Sequence, residues 1–387
     1  MTLLPHQSQQ PCIPLVPPLV QSTTFEQTEI GADAPHRYSR ESNPTVDALE
    51  KALGDLERAE PALCFATGLA AETALFETVT HQGGHVVFPR QVYGGTTRLL
   101  EQVLSRFGVA SCAVDTRDLG AVERVLEANR TQIVFAETPA NPTLEVSDLR
   151  ALSRLAHRHG ALLAVDNTFL TPTLQQPLDL GADVSVYSTT KFVEGHSTAL
   201  GGALVTRDKA LRDRLFLTRK CTGAIQSPFG AWLTLNGLRT LNLRLERQSA
   251  TAAALAAWLE EHPETTKVLH PSLPNHPDRQ VASTQHLGAH GAVVSFELQG
   301  GYERAVAFLA ELRSIKLVEH VGSVETLITH SASMTHGGLT PEQREAAGLS
   351  ESLLRLSVGV EPAPQLREEL SRAITASRLR RSEGVRA

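Results

Sequence analysis

What most restricts this chain is an alternation that runs from about residue 62 to residue 206. Short apolar segments recur there, each followed by a segment whose apolar residues have helical spacing. Residues 62–67, 85–88, 110–114, 132–137, 161–166, 183–187 and 199–206 read as strands. Residues 68–76, 97–107 and 119–128, and a stretch ending near 156, read as the helices between them. Strands so continuously apolar need cover on both faces, and the intervening helices supply it. The expected class is α/β, with a large, mostly parallel sheet. In such a sheet ligands sit beyond the carboxyl ends of the strands, so the loops there come first in a search for a site.

At 387 residues the chain is long for one core, and two domains are expected. Residues 1–45 have little periodicity and read as an extended N-terminal arm, the kind of irregular segment that reaches over a neighbour. A helix follows, with Thr45 as its cap. The α/β domain is taken as 46–240, its boundary falling inside a long helical stretch over 229–261. Residues 241–387 mix strands at 291–296 and 353–358 with helices at 303–312 and 363–376, a smaller α+β domain.

A net charge of −6 argues against general binding of nucleic acid or a membrane surface. No run of about 18 apolar residues suggests a membrane span. The polar, proline-dotted start is not a signal peptide. Cys12, Cys64, Cys112 and Cys221 are scattered and read as buried thiols of a reducing compartment, with no disulfide framework and no metal site. A cytoplasmic protein is the expectation.

Among the strand-end loops, the one after 183–187 carries the sharpest chemistry. Only Lys51, Lys191, Lys209, Lys220, Lys267 and Lys316 are lysines, and five of these have charged or turn-like surroundings. Lys191 has an apolar strand before it, Ser188, Thr189 and Thr190 against it, and a Gly-His turn after it. A lysine stripped of hydration has a lowered pKa and attacks carbonyls. The bland reading is a surface lysine snorkelling from a strand end. Gly68 opens a helix straight after a strand, which makes either an anion cradle or simply a tight helix start. No dinucleotide fingerprint or P-loop occurs. Asp166 ends an apolar strand, where it either caps the next loop or faces a protonated ring nitrogen. A reactive lysine, a phosphate anchor and an acid facing a pyridine nitrogen are together what pyridoxal phosphate requires.

The motifs Tyr38-Ser-Arg40, Thr67-Gly68-Leu69, Tyr93-Gly-Gly-Thr96, Glu137-Thr-Pro-Ala-Asn-Pro142, Val165-Asp-Asn-Thr-Phe169, Ser188-Thr-Thr-Lys-Phe192 and Arg355-Leu-Ser-Val-Gly-Val-Glu361 resemble those of the Cys/Met-metabolism family. These are the transsulfuration enzymes of pyridoxal-phosphate fold type I, and the resemblance runs in order from Pro17 to Leu370. It implies pyridoxal 5′-phosphate as cofactor. It implies that Lys191 forms the internal aldimine and shuttles protons, and that Asp166 pairs with the pyridine nitrogen. Tyr93 would stack on the ring and assist proton transfer near the leaving group. Gly68 and Leu69 N–H groups, with Ser188 and Thr190, would hold the phosphate. Tyr38 and Arg40 would reach the phosphate of a neighbouring subunit, so a homo-oligomer, a dimer at least and usually a tetramer, is implied. Arg355 would clamp the substrate α-carboxylate, and Asn141 would contact the cofactor oxygen and that carboxylate.

The activity implied is elimination or replacement at the γ-carbon of cystathionine or an O-acylhomoserine. The alternatives are a methionine or homocysteine γ-lyase, an O-acylhomoserine sulfhydrylase, or a cofactor-binding homologue with weak catalysis. Glu319 aligns with a glutamate that meets the distal ammonium of cystathionine in γ-synthases and γ-lyases; otherwise it is a solvated loop charge. Glu194, Thr198 and His320 stand where the family usually has Asn, Asp and Ser. His320 is expected near the substrate carboxylate, as a second donor or a local pH switch.

Overall fold

The computed structural model describes residues 14–31, 33–335, 337, 344 and 348–384. The first part of the expected arm, with Cys12, and the terminal Arg386 lie outside the described residues. The chain leaves the arm through α1 (Pro44–Glu57), with Pro44 in the first turn, where a missing N–H costs nothing. The cap is Asn43, whose side chain accepts from the Thr45 N–H, and not Thr45 as the sequence suggested. The Thr45 hydroxyl instead ties down the arm, accepting from Val20 N at 2.9 Å and donating to the Pro18 carbonyl at 3.0 Å.

The alternation read from the sequence is realised. In order come β1 (Leu63–Phe65), α2 (Gly68–Val79), β2 (His85–Pro89), α3 (Gly94–Arg98), β3 (Ala110–Val114), α4 (Leu119–Ala128), β4 (Thr131–Glu137), α5 (Leu149–Arg158), β5 (Leu162–Asp166), α6 (Thr171–Leu174), β6 (Val184–Tyr187) and β7 (Gly202–Val205). The sheet order is β1-β7-β6-β5-β4-β2-β3. Only β7 runs against its neighbours, so the sheet is mostly parallel. Side chains alternate across it as strand geometry requires. Ile133 and Phe135 of β4 pack with Phe76 and Phe88 on one face, while Val134 and Ala136 meet Leu152 and Val165 on the other.

One expected helix is not a single helix. Over 97–107 the chain passes from α3 into a π-helical turn, Leu99–Val103, and a 3-10 turn, Leu104–Phe107, closed by Gly108 at φ 78°. The long stretch over 229–261 likewise divides. After α7 (Lys209–Thr222), α8 (Pro228–Leu238) and α9 (Leu241–Glu260) are separated at Arg239 and Thr240.

The remainder is β8 (Thr265–Leu269), α10 (Arg279–Gln285), β9 (Val293–Leu298), α11 (Gly301–Glu311), β10 (Lys316–Leu317), β11 (Leu327–His330), β12 (Leu354–Ser357) and α12 (Ala363–Gly384). Its sheet, ordered β10-β11-β12-β9-β8, packs Phe296, Leu354 and Leu356 against Leu255, Phe308 and Leu366 of the helices. A third group, including Phe192, Leu241, Leu245 and Val293, joins the two sheets behind the loop that carries Lys191.

The thiols depart from expectation: Cys64 is buried, Cys112 half-buried and Cys221 exposed. Among the described residues no helix is long and apolar enough to cross a membrane, and no cluster could hold a metal ion.

Buried charge stitches the first layer together. The Arg219 guanidinium of α7 pairs with Glu50 of α1 and donates to the Cys64 carbonyl of β1 at 2.9 Å, while Glu50 accepts from Cys64 N at 2.8 Å. Both side chains are nearly inaccessible to water. Removing one partner strands the other charge in the core, so Arg219→Ala should lower unfolding free energy by about 3–5 kcal/mol. A urea midpoint close to that of the parent would contradict this.

Candidate active site

The strand ends of the large sheet converge on a cavity of about 280 Å³, near the low end for small-ligand sites. Gly68, Leu69 and Tyr93 line one side. Asp166, Ser188, Thr190 and Lys191 line the floor, and Asn141, Glu319 and Arg355 close it. Ten of the residues singled out from sequence therefore meet in one place. Tyr38 and Arg40 do not. Tyr38 is 45% exposed in the arm, with the Arg40 guanidinium 5.3 Å from its ring and donating to the Lys220 carbonyl at 2.6 Å.

Lys191 stands on a tight turn after β6, its N–H bonded to Ser188 O at 3.1 Å and its carbonyl accepting from Gly195 N at 2.8 Å. Burial, then the charge of Arg355, brings its pKa down to about 8. Among the described residues it makes no ion pair, and its polar neighbour is His320 Nδ1 at 3.5 Å. The turn is held from behind. Arg244 donates to the carbonyls of Phe192 at 2.8 Å and Gly237 at 2.9 Å. Buried Glu194 accepts from the N–H groups of His196 and Thr198 and from the Thr198 hydroxyl at 2.5 Å. The two departures from the family pattern thus compensate each other, with a carboxylate at the first position and a hydroxyl donor at the second.

Asp166 ends β5, and its Oδ1 accepts from Thr168 N at 2.8 Å, so the capping role is present. Burial raises its pKa. Beside it in register lies Glu137, the last residue of β4. Its two oxygens accept from Tyr93 N at 2.8 Å and Asn141 N at 2.7 Å. Burial, then the Asp166 charge, also raises Glu137. Glu72 of α2, accepting from the Thr96 hydroxyl at 2.8 Å, is raised by the same two causes. Sequence reading gave Glu137 no role. The available signal was its place at a strand end beside that of Asp166.

At the start of α2 the Thr67 side chain caps Ala70 N, which leaves Gly68 and Leu69 N–H without helix partners. A Cβ on Gly68 would lie 2.9 Å from Ser188 Cβ, so only glycine lets the helix start meet this turn. Thr190 Oγ1 is committed to Gly201, donating to its carbonyl at 3.1 Å and accepting from its N–H at 2.9 Å. Gly95 matters similarly, since a Cβ there would lie 2.4 Å from the Tyr93 ring.

Arg355 comes from β12 of the second sheet. Its guanidinium donates to Asn141 Oδ1 at 2.9 Å, Thr329 Oγ1 at 2.9 Å and the His320 carbonyl at 3.1 Å, and its buried Nε has no partner among the described residues. Burial lowers its pKa to about 10, still a cation at neutral pH. The His320 ring turns to Lys191 and does not line the cavity, and it is the carbonyl of this residue that engages Arg355.

These features suit pyridoxal phosphate. A desolvated amine faces the cavity, a buried acid ends a strand beside it, and two helix-start N–H groups without helix partners lie beside Ser188. The Arg355 guanidinium, a cation lining the cavity, suits a carboxylate.

Residues 3–375 match the family described as Cys/Met metabolism PLP-dependent enzyme. The chain is 40% identical over 357 residues to a cystathionine gamma-lyase of Bacillus subtilis, covering 92% of this chain and 93% of that one. It is 41% identical over 339 residues to an O-succinylhomoserine sulfhydrylase of Pseudomonas aeruginosa, covering 88% and 83%. The crystal structure of a cystathionine gamma synthase from Xanthomonas oryzae pv. oryzae in complex with cystathionine superposes with a TM-score of 0.92, at 40% identity over 94% of each chain.

Glu137→Gln would set an amide NH2 against a backbone N–H that needs an acceptor, an unmet buried donor worth about 1–3 kcal/mol. The variant should fold with stability reduced by that amount and with weakened binding of amino-acid ligands beside Asn141. Unchanged unfolding and ligand titration would contradict the holding role.

Proposed function

Because the chain belongs to the Cys/Met metabolism family of pyridoxal-phosphate-dependent enzymes, we propose that it acts at the γ-carbon of cystathionine or of an O-acylhomoserine. The observation that carries this is the pairing of Arg355 and Glu319 on one cavity wall set, within electrostatic reach of each other and on the same cavity as Lys191. Arg355 suits an α-carboxylate, and Glu319 suits a second, distal ammonium, which cystathionine has.

Bound in this cavity, pyridoxal phosphate supplies an electron sink for carbanions formed at the substrate. The chain's residues do the rest. Gly68 and Leu69 N–H groups and Ser188 hold the phosphate, with the Thr190 hydroxyl positioning the turn through Gly201. Asp166 keeps a positive charge on the ring nitrogen favourable. Arg355 and Asn141 fix the carboxylate, so the α-proton points at Lys191. With its pKa near 8, Lys191 Nζ is close enough to neutrality to accept that proton and pass it on. Tyr93, half-exposed at the cavity edge, covers the ring and meets the leaving group.

Tyr38 and Arg40 are assigned to the phosphate site of a neighbouring subunit, which makes a homodimer the smallest active unit and a tetramer the expected assembly. Both are exposed and neither lines the chain's own cavity, which supports this. The break at Arg239 and Thr240 serves as the boundary between the cofactor domain and the C-terminal domain. The protein is assigned to the cytoplasm. A methionine or homocysteine γ-lyase, or a sulfhydrylase, would use the same Lys191 without needing Glu319.

Incubation with cystathionine, and separately with an O-acylhomoserine plus cysteine, tests the reading. Cysteine with 2-oxobutanoate in the first, or cystathionine in the second, is expected. Glu319→Gln should raise KM for cystathionine about tenfold, the cost of losing a charge-assisted hydrogen bond. Pyruvate with homocysteine, or no product in either, would overturn it.

A further inference from the structure

We propose that His320 is the proton acceptor for the Lys191 amine, taking its proton as the amine becomes nucleophilic and returning it afterwards. This rests on the reading of Lys191 as the reactive amine. Nδ1 of His320 lies 3.5 Å from Lys191 Nζ, the outer limit of a hydrogen bond, as is common before ligand closes a site. The other ring nitrogen, Nε2, is buried and has no hydrogen-bond partner among the described residues. No second partner therefore fixes the ring's proton, and Nδ1 is free to present its lone pair to the amine.

Backbone packing sets the distance. The His320 carbonyl accepts from Arg355 Nη2 at 3.1 Å, and Gly322 N donates to Ser357 Oγ at 2.8 Å. Gly322, at φ +90°, brings this loop so close that a Cβ there would lie 2.5 Å from Phe192 N. The segment bearing the imidazole is thus pressed onto the segment bearing the amine.

Electrostatics sets the resting state. The cations Lys191 and Arg355 and the carboxylates Glu194 and Glu325 act on the ring. Burial, then the two cations, brings the imidazole down to about 4, so at rest the amine holds the proton and the ring is neutral. The transfer breaks one N–H bond at Lys191 and forms one at His320 Nδ1. The pair keeps a single positive charge, and no co-reactant is needed. A serine at this position, usual in the family the chain resembles, can share a hydrogen bond but cannot store the proton.

The test uses full-length protein stripped of cofactor. Pyridoxal phosphate is added across a pH series, its uptake followed by stopped-flow absorbance, and the product reduced with borohydride and mapped by mass. Near pH 7, H320A and H320N should both take it up about tenfold more slowly, with the reduced mass still on Lys191. H320N keeps a polar atom near the place of Nδ1 and carries the test if H320A does not fold. Added imidazole should restore much of the H320A rate. Wild-type rates and pH profiles in both variants, or slow uptake that imidazole leaves unchanged in a folded H320A, would overturn the proposal. If even the wild-type chain gains no mass at Lys191, the reading of Lys191 itself fails instead.

Discussion

A buried guanidinium with, among the described residues, no carboxylate in hydrogen-bond contact holds the two halves of this molecule to one purpose. Arg355 projects from the second sheet and fastens to Asn141 of the first, to Thr329 beside it and to the His320 carbonyl. A charge so desolvated is tolerable only when neutral dipoles surround it and an anion is available part of the time. The dipoles come from both sheets, so the cavity exists only where the two meet. Burial does most to lower the pKa of Lys191 and of His320, and the same charge adds to it at both. One residue of the C-terminal half thereby tunes the amine of the N-terminal half.

The acids across the cavity have the opposite problem. Glu72, Glu137 and Asp166 are buried close to one another; burial raises the proton affinity of all three, and the Asp166 charge raises it further at Glu72 and Glu137. Glu137 uses both oxygens on backbone N–H groups and thereby sets the loops of Tyr93 and Asn141. Asp166 spends one oxygen on Thr168 and lines the cavity. Its buried carboxylate gains most from a cation placed beside it, which is what a protonated pyridine nitrogen offers.

The large sheet was legible because its strands are buried on both faces, which forces continuous apolar runs that turn signals separate cleanly. The strand-end loops followed from the sheet, and with them Gly68, Asp166 and Lys191. The second sheet was half hidden. β8 (Thr-Thr-Lys-Val-Leu) is largely solvent-facing, and β10 is two exposed residues, so neither shows the apolar pattern of a core strand. The π-helical turn after α3 was invisible because its spacing of apolar residues differs little from that of an α-helix. The Arg219–Glu50 pair spans most of the α/β region of the chain, and nothing local announces it. The His320 ring direction depends on Gly322 packing against Phe192, a contact between distant segments that a linear motif does not encode. The departures at Glu194 and Thr198 were visible as departures, but only the fold shows them bonded to each other.

The central claim is that the fold makes Lys191 a desolvated, reactive amine. Competitive labelling of cofactor-free protein across pH, with each lysine followed by peptide mass, tests it most directly. Lys191 should titrate at about 8, well below the ordinary lysine value of about 10.4. A Lys191 that titrates at that ordinary value would contradict the account.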